Sequence, residues 1–288
     1  MKLQKKQNRM GVLLVSPFFI GCTVFYFAPF IISIYYSFTS GGKEKQFVGI
    51  NNYIQLFQNQ SFLLALKNTV LFMGIGIPIL LCTGLLLAKF LCYLSKFADT
   101  VRGVLIVPFV IPVASVIKVW QILFDDYGIL NRIFTEFSLE TQQFFQNGWV
   151  FFVLILIFIW KNCGYVALIY SVAMSNIPGN YVDAARMDGA GKWKIFYKIV
   201  LPLLRPTTFF ALLISIINSF KIFREVYLLT GQYPDTKVYF IQHFMNNNFY
   251  NLNYPKLSSA SVILSVLIVF VVLIIFLRER GGNYESEG

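Results

Sequence analysis

The longest uninterrupted apolar stretch, Val262 to Phe276, carries hydrophobic side chains on every side of any helix or strand it can form, with Ser265 its one polar position. A barrel strand alternates lipid-facing and lumen-facing residues, so this pattern is helical and requires an apolar solvent. Six such blocks recur, over approximately 11–38, 67–94, 103–124, 149–174, 207–230 and 258–277. Each is close to the roughly 20 residues that a helix needs to cross a hydrocarbon core about 30 Å thick. With 57% hydrophobic and only 13% charged residues in 288, the chain lacks the polar surface of a soluble domain of that size. The expected fold is all-α, an integral membrane bundle of about six transmembrane helices.

The net charge of +11 invites a nucleic-acid reading, which the placement of the basic residues makes unnecessary. With six spans and the first residues inside, thirteen Lys and Arg fall in cytoplasmic segments, among them Lys2, Lys96, Lys194 and Arg280. Six fall outside, Lys43 and Lys237 among them, and five lie within spans. That bias follows the positive-inside rule and predicts a multi-pass protein of the cell membrane with both termini cytoplasmic. The basic start resembles a secretory n-region, but its apolar run exceeds a signal core of about 7 to 15 residues, so an uncleaved first span is expected. Cys22, Cys82, Cys92 and Cys163 fall in or at the ends of spans, without the spacing of a disulfide framework or a metal site. The expected layout is a tail over 1–10, a membrane domain over 11–278 with a long cytoplasmic loop at 175–206, and a tail over 279–288.

That loop is the most informative segment. Pro178 and Gly179 should end the fourth span, and Asn180 followed by Asp183 reads as an N-cap pair opening a short helix. Ala184, Ala185 and Ala190 leave it small-sided faces, and Asp188-Gly189 is a turn that ends it. A second amphipathic helix would set Trp193, Phe196, Tyr197 and Ile199 at the membrane surface, with Lys192, Lys194 and Lys198 in water. Taken without a family, this is a basic loop anchored on anionic lipid.

The whole segment, however, closely resembles the EAA motif of binding-protein-dependent ABC importer permeases: Asp183-Ala-Ala-x-x-Asp188-Gly-Ala, then Phe196, Ile199, Leu201-Pro202 and Pro206. Asp183 stands where that family usually has Glu, a carboxylate on a shorter arm. Phe47 to Phe57 with Asn68-Thr69, Pro108-x-x-x-Pro112 with Trp120, Phe124, Gly128 and Leu130-Asn131, and Phe220 to Gly231 are similar to the carbohydrate-uptake members. The resemblance implies a coupling helix-loop-helix at Asp183, Ala184, Ala185, Asp188, Gly189 and Ala190 that docks on a cytoplasmic ATPase. It further implies a second, related permease, an external solute-binding protein, an ATPase dimer holding ATP and Mg, and a sugar or oligosaccharide as cargo. No Gly-x4-Gly-Lys-[Ser/Thr] phosphate loop occurs, so no ATP hydrolysis is expected in this chain and no cofactor of its own.

A Lys at the bilayer centre costs roughly 2.5 to 3.5 kcal/mol on insertion scales, so Lys161 in the fourth span needs a reason. Trp160-Lys161-Asn162-Cys163-Gly164-Tyr165 reads as a mid-span interruption, weakened at Gly164, that lines a polar cavity; the other reading is that Lys161 pairs with a neighbouring helix or snorkels. Asn218 and Lys221 in the fifth span are candidates to meet substrate hydroxyls, Tyr165 and Tyr170 to stack on a sugar, and Arg224 and Glu225 to form an outer gate or subunit contact. Lys89 and Lys118 are expected to snorkel, and His243 to be an external surface residue. A transporter driven by an ion gradient is the alternative; such proteins commonly carry several membrane-depth carboxylates, and only Glu225 qualifies here.

Overall fold

The computed structural model describes residues 2–41, 45–94, 98–146 and 148–284, with side chains left undescribed at 2–9, 98 and 278–284. Lys43 of the expected outer group and Lys96 of the inner group lie outside the described residues. The helices are α1 (Lys2–Cys22), α2 (Ala28–Ser37), α3 (Asn51–Phe57), α4 (Gln60–Tyr93), α5 (Ala98–Val110), α6 (Val113–Phe124), α7 (Ile129–Glu136) and α8 (Trp149–Ser175). They continue with α9 (Gly179–Met187), α10 (Lys192–Ile195), α11 (Leu201–Leu203), α12 (Arg205–Lys221), α13 (Phe223–Thr230), α14 (Ile241–Tyr250) and α15 (Tyr254–Tyr284). Among the described residues five stretches are long and apolar enough to cross a membrane, Met10–Ser37, Gln60–Tyr93, Trp149–Ser175, Arg205–Thr230 and Tyr254–Leu277. A sixth is a broken pair, Asp99–Val110 with Val113–Glu136, bent by 94°. The third span expected over 103–124 is therefore longer than expected and angled. Pro112 has no N–H to continue the ladder and disfavours helical geometry at Ile111 before it, so the chain turns there.

The chain divides into two compact units. The first holds residues 1–63 and 244–269. Its opening span runs from α1 through a π-helical turn, Thr23–Phe27, into α2, and among its described side chains only Ser37, at its end, is buried. Beyond it the backbone is pinned at Ser37: the Tyr53 hydroxyl donates to Ser37 Oγ at 2.6 Å, and Asn52 Nδ2 donates to the Ser37 and Thr39 carbonyls at 2.9 Å each.

The second unit holds residues 64–243 and 270–288 and is organised around α8, whose Val150, Leu154, Ile157, Phe158, Val166 and Ala167 are buried. Lipid gives helices no hydrophobic reason to associate, so close packing at small residues does the work. At Gly164 an added Cβ would collide with the Leu105 carbonyl of α5, and at Gly84 of α4 it would collide with Val166. Beside these approaches Phe109 stacks on Tyr165 at 4.7 Å, Phe72 meets Phe158 at 5.4 Å, and the Tyr170 hydroxyl lies 3.2 Å from Thr208 Oγ1 of α12. The expected interruption of the fourth span is absent: α8 runs unbroken from Trp149 to Ser175. Gly164 there serves close approach rather than helix weakening, and Tyr170 is a packing residue.

At the far end of this unit Asn68 Nδ2 donates to the Thr236 and Tyr239 carbonyls at 2.6 and 3.1 Å, and Thr69 Oγ1 accepts from the Ile241 amide at 3.0 Å. His243, expected at the surface, is fully buried. Its Nδ1 accepts from the Phe240 amide at 3.3 Å, and its ring lies edge-on to Phe223 at 4.7 Å. Burial, with no charged neighbour to oppose it, pushes its pKa down to about 4 from 6.5.

Two outcomes follow from this packing. Gly164→Ala should lower the thermal midpoint of the purified protein in detergent, at an overpacking cost of about 1 to 3 kcal/mol. Gly74→Ala, with nothing near its added Cβ, should leave the midpoint unchanged. For His243 the unfolded chain takes up a proton below pH about 6.5 while the folded chain refuses it until about 4. Stability is thus intact above pH 6.5 and falls by up to about 3 kcal/mol as the pH drops through that window. Melting curves from pH 7 to 4.5 should show the decline, and His243→Gln should flatten it.

Candidate transport cavity and coupling loop

Three spans converge on a cavity of about 440 Å³ within the second unit. The broken third span contributes Phe109, Ile111, Pro112 and Val113, α8 contributes Phe158, Lys161 and Asn162, and α12–α13 contribute Asn218, Lys221, Ile222, Arg224 and Glu225. Lys161, near the middle of α8, donates to Glu225 Oε1 at 2.6 Å, and the two side chains are 12% and 3% exposed. Lys161 therefore both lines a cavity and pairs with a neighbouring helix. The other Glu225 oxygen, Oε2, is buried without a hydrogen-bond partner among the described residues.

Asn218, Lys221 and Glu225 recur at helical spacing along the fifth span, so Glu225 shares the cavity-facing side with the other two. After Lys221 the helix passes through Ile222, whose amide bonds back three residues to Ser219 at 3.4 Å, before α13 begins. Glu225 and Arg224 line the cavity, whereas the sequence placed them near the outer end as a gate or a subunit contact. Asn162 spends its amide on the Phe158 carbonyl at 2.7 Å, and Lys221 donates to Asn218 Oδ1 at 3.1 Å. Tyr165 is not on the cavity wall; it backs Phe109, which is. The contribution of the third span was missed in the sequence, although Pro108-x-x-x-Pro112 marked the place.

The loop between α8 and α12 begins at Pro178, whose ψ of 130° starts α9. The expected Asn180/Asp183 cap does not form. Asn180 lies inside the helix and its Oδ1 accepts from the adjacent Tyr181 amide, while Asp183 pairs with Arg186 at 3.1 Å. The C-terminus is better specified. Gly189 takes a φ of +75°, its amide donates to the Arg186 carbonyl at 3.0 Å, and the Ala190 amide donates to the Ala185 carbonyl at 2.9 Å. This double bond pattern is a Schellman closure, and the left-handed position favours glycine. α9 buries none of its residues: Asp183, Ala184, Asp188 and Gly189 are exposed, and Ala185 and Ala190 half-buried. α10 then leads through a π-helical turn, Phe196–Val200, into Pro202. Ile195 faces inward, while Trp193 and Tyr197 are well exposed. Lys89, expected only to snorkel, lies 4.3 Å from the Trp193 ring centre and 4.4 Å from that of Phe196, tying the end of α4 to the loop; Lys118 is exposed.

Residues 80–280, which take in α8, the loop and the cavity, match the family described as the binding-protein-dependent transport system inner membrane component. The chain belongs to that family. Among its relatives, the sn-glycerol-3-phosphate transport system permease protein UgpA of Yersinia pestis is 29% identical over 280 residues, 95% of each chain. The trehalose/maltose transport system permease protein MalF of Thermococcus litoralis is 27% identical over 283 residues, 96% of this chain and 95% of that one. A solved bacterial ABC transporter involved in the import of the acidic polysaccharide alginate contains a chain that shares the fold. It aligns with a TM-score of 0.83 and 22% identity, over 97% of this permease and 99% of that chain. The permease is thus a multi-pass membrane subunit of a transport system that works with a binding protein.

The ion pair sets a double-mutant test. Removing one partner of a buried pair strands the other at a cost of about 3 to 5 kcal/mol, whereas replacing both by apolar residues is often neutral. Lys161→Met and Glu225→Leu should each reduce folded yield and thermal midpoint, and the double variant should regain most of both. A double variant no better than the worse single would mean that the two groups are not a stabilising unit.

Proposed function

We propose that this permease is one of two related membrane subunits that together enclose the path of a sugar or polyol handed over by an external binding protein. ATP and Mg are held by a pair of cytoplasmic ATPases, and this chain contributes mechanics rather than hydrolysis. The observation that carries the reading is the geometry of α9, a short helix with no buried residue, closed by Gly189 and standing between the two helices that line the cavity. A helix that buries nothing of its own chain offers its small faces to another protein. The relatives named for glycerol phosphate and for trehalose and maltose support a small hydroxylated cargo. The excess of cationic residues in the loop supports a cytoplasmic location for it, and with it for both termini.

In the working cycle, ATP-driven closure of the ATPases moves α9. Because the loop continues into α8 on one side and α12 on the other, the motion reaches Lys161, Asn162, Asn218 and Lys221, the proposed substrate path. Tyr165 supports that path through Phe109. The basic second half of the loop, with Trp193 and Tyr197 exposed, rests at the lipid surface.

Gly189→Val places a β-branched residue at a left-handed position, straining the loop by about 1 to 2 kcal/mol, and Asp183→Ala removes the docking carboxylate. In the assembled transporter in liposomes, each should cut ATP hydrolysis stimulated by the loaded binding protein by about tenfold, the factor that 1.4 kcal/mol represents. Insertion and subunit assembly should persist. Uptake by this chain alone, driven by an ion gradient and indifferent to both changes, would replace the importer reading with a secondary transporter.

A further inference from the structure

We infer that the substrate of this cavity is a hydroxylated anion, a sugar or polyol bearing a carboxylate or a phosphate; the inference rests on the permease reading above and narrows its cargo. Among the described residues of the cavity wall there are three cations, Lys161, Lys221 and Arg224, and one carboxylate, Glu225. The carboxylate is already committed, since its Oε1 binds Lys161 at 2.6 Å. Lys221 has only the neutral amide oxygen of Asn218, at 3.1 Å, and no carboxylate pairs with Arg224 among the described residues. Both residues are exposed on the cavity wall, and two cations there, with no acid to balance them among the described residues, attract an anion and disfavour a cation.

The second half of the inference comes from Glu225 Oε2, a buried acceptor with no partner of its own. A buried carboxylate oxygen lacking a hydrogen bond is costly, and because Glu225 borders the cavity a substrate hydroxyl relieves that cost once the carboxylate turns toward it. The wall thus offers an acceptor for a hydroxyl together with cations for a negative group, and a neutral sugar satisfies only the first. Guanidinium and ammonium side chains accept either a carboxylate or a phosphate, so the wall specifies the charge and not its chemical source.

The test uses the complete transporter, this permease with its mate, its ATPases and its binding protein, reconstituted in liposomes. Uptake of sn-glycerol 3-phosphate, of a short uronate oligosaccharide and of neutral maltose is compared. Wild type should accumulate at least one anion in preference to maltose, and which anion it accumulates assigns phosphate or carboxylate. Lys221→Gln with Arg224→Gln should raise the half-saturating concentration for that anion by about tenfold or more, as expected for lost charge-assisted hydrogen bonds. Lys221→Arg, which keeps the charge, should stay near wild type, separating loss of charge from misfolding. Preference for maltose, uptake of none of the three, or anion uptake indifferent to the Gln substitutions overturns the inference while ATP hydrolysis still depends on this chain. Hydrolysis independent of this chain brings down the permease reading itself.

Discussion

The contact between Lys161 and Glu225 is the constraint around which the second unit is arranged. Neither group is stable alone in a low-dielectric setting, because stripping water from an ion costs several kcal/mol even after the protein relaxes. Each therefore requires the other at hydrogen-bonding distance, and satisfying that demand fixes geometry over 64 residues of chain. Glu225 shares a helix face with Asn218 and Lys221, and the third span turns away at Pro112, so the pair borders a cavity rather than a packed seam. A pair closed on all sides would be structural ballast. This one has an open side, an unfilled carboxylate oxygen, and two further cations nearby.

α8 is the most buried of the described spans, while the first is exposed almost throughout. α8 has α4, α5 and α12 pressed against it, and the close approaches at Gly84 and Gly164 let backbone meet backbone where lipid offers no driving force. A helix held this tightly moves as a body. Its cytoplasmic end continues into the loop whose other end becomes α12, so displacement of α9 reaches the cavity through two stiff elements rather than through flexible side chains. Lys89, resting over Trp193 and Phe196, adds α4 as a third point of attachment. On the proposed mechanism this is what a mechanical subunit needs: rigid rods, a small exposed handle, and a few glycines placed where rods touch.

The spans were legible in the sequence because an apolar block about 20 residues long has no other use in a polytopic chain; the first, fourth, fifth and sixth matched their helices within a few residues, whereas the second begins seven residues earlier, at Gln60, and the third is a bent pair reaching Glu136. The end of α9 was legible for a local reason as well: Asp188-Gly189 specifies a left-handed closure without help from distant residues. Its beginning was misread, because Asn180 and Asp183 have capping chemistry but Pro178 starts the helix before either can act, leaving one on its neighbour's amide and the other on Arg186. Gly164 was misread for a subtler reason. In water a glycine within a helix signals weakness, whereas in a membrane it signals a neighbour, and no sequence window around 164 contains Leu105. His243 misled in the same way: its burial comes from Phe223, Tyr239 and Phe240, and the stretch around it has too little apolar patterning to reveal an inward face.

A polar residue within an apolar block announces that something must compensate it, and Lys161, Asn162, Asn218, Lys221 and Glu225 were all conspicuous on that ground. What the block does not contain is the identity of the compensating group. Lys221 stands four residues before Glu225 on the same helix, yet neighbours at that spacing in water gain only about 0.2 to 0.5 kcal/mol. A partner on another helix relieves a far larger desolvation cost, so Glu225 turns to Lys161 and leaves Lys221 to Asn218. In the membrane the strongest demand is met first, whatever its distance along the chain, and the groups left over face the cavity. The charge on the cavity wall is therefore what remains after the fold has satisfied itself, and in this permease the remainder is positive.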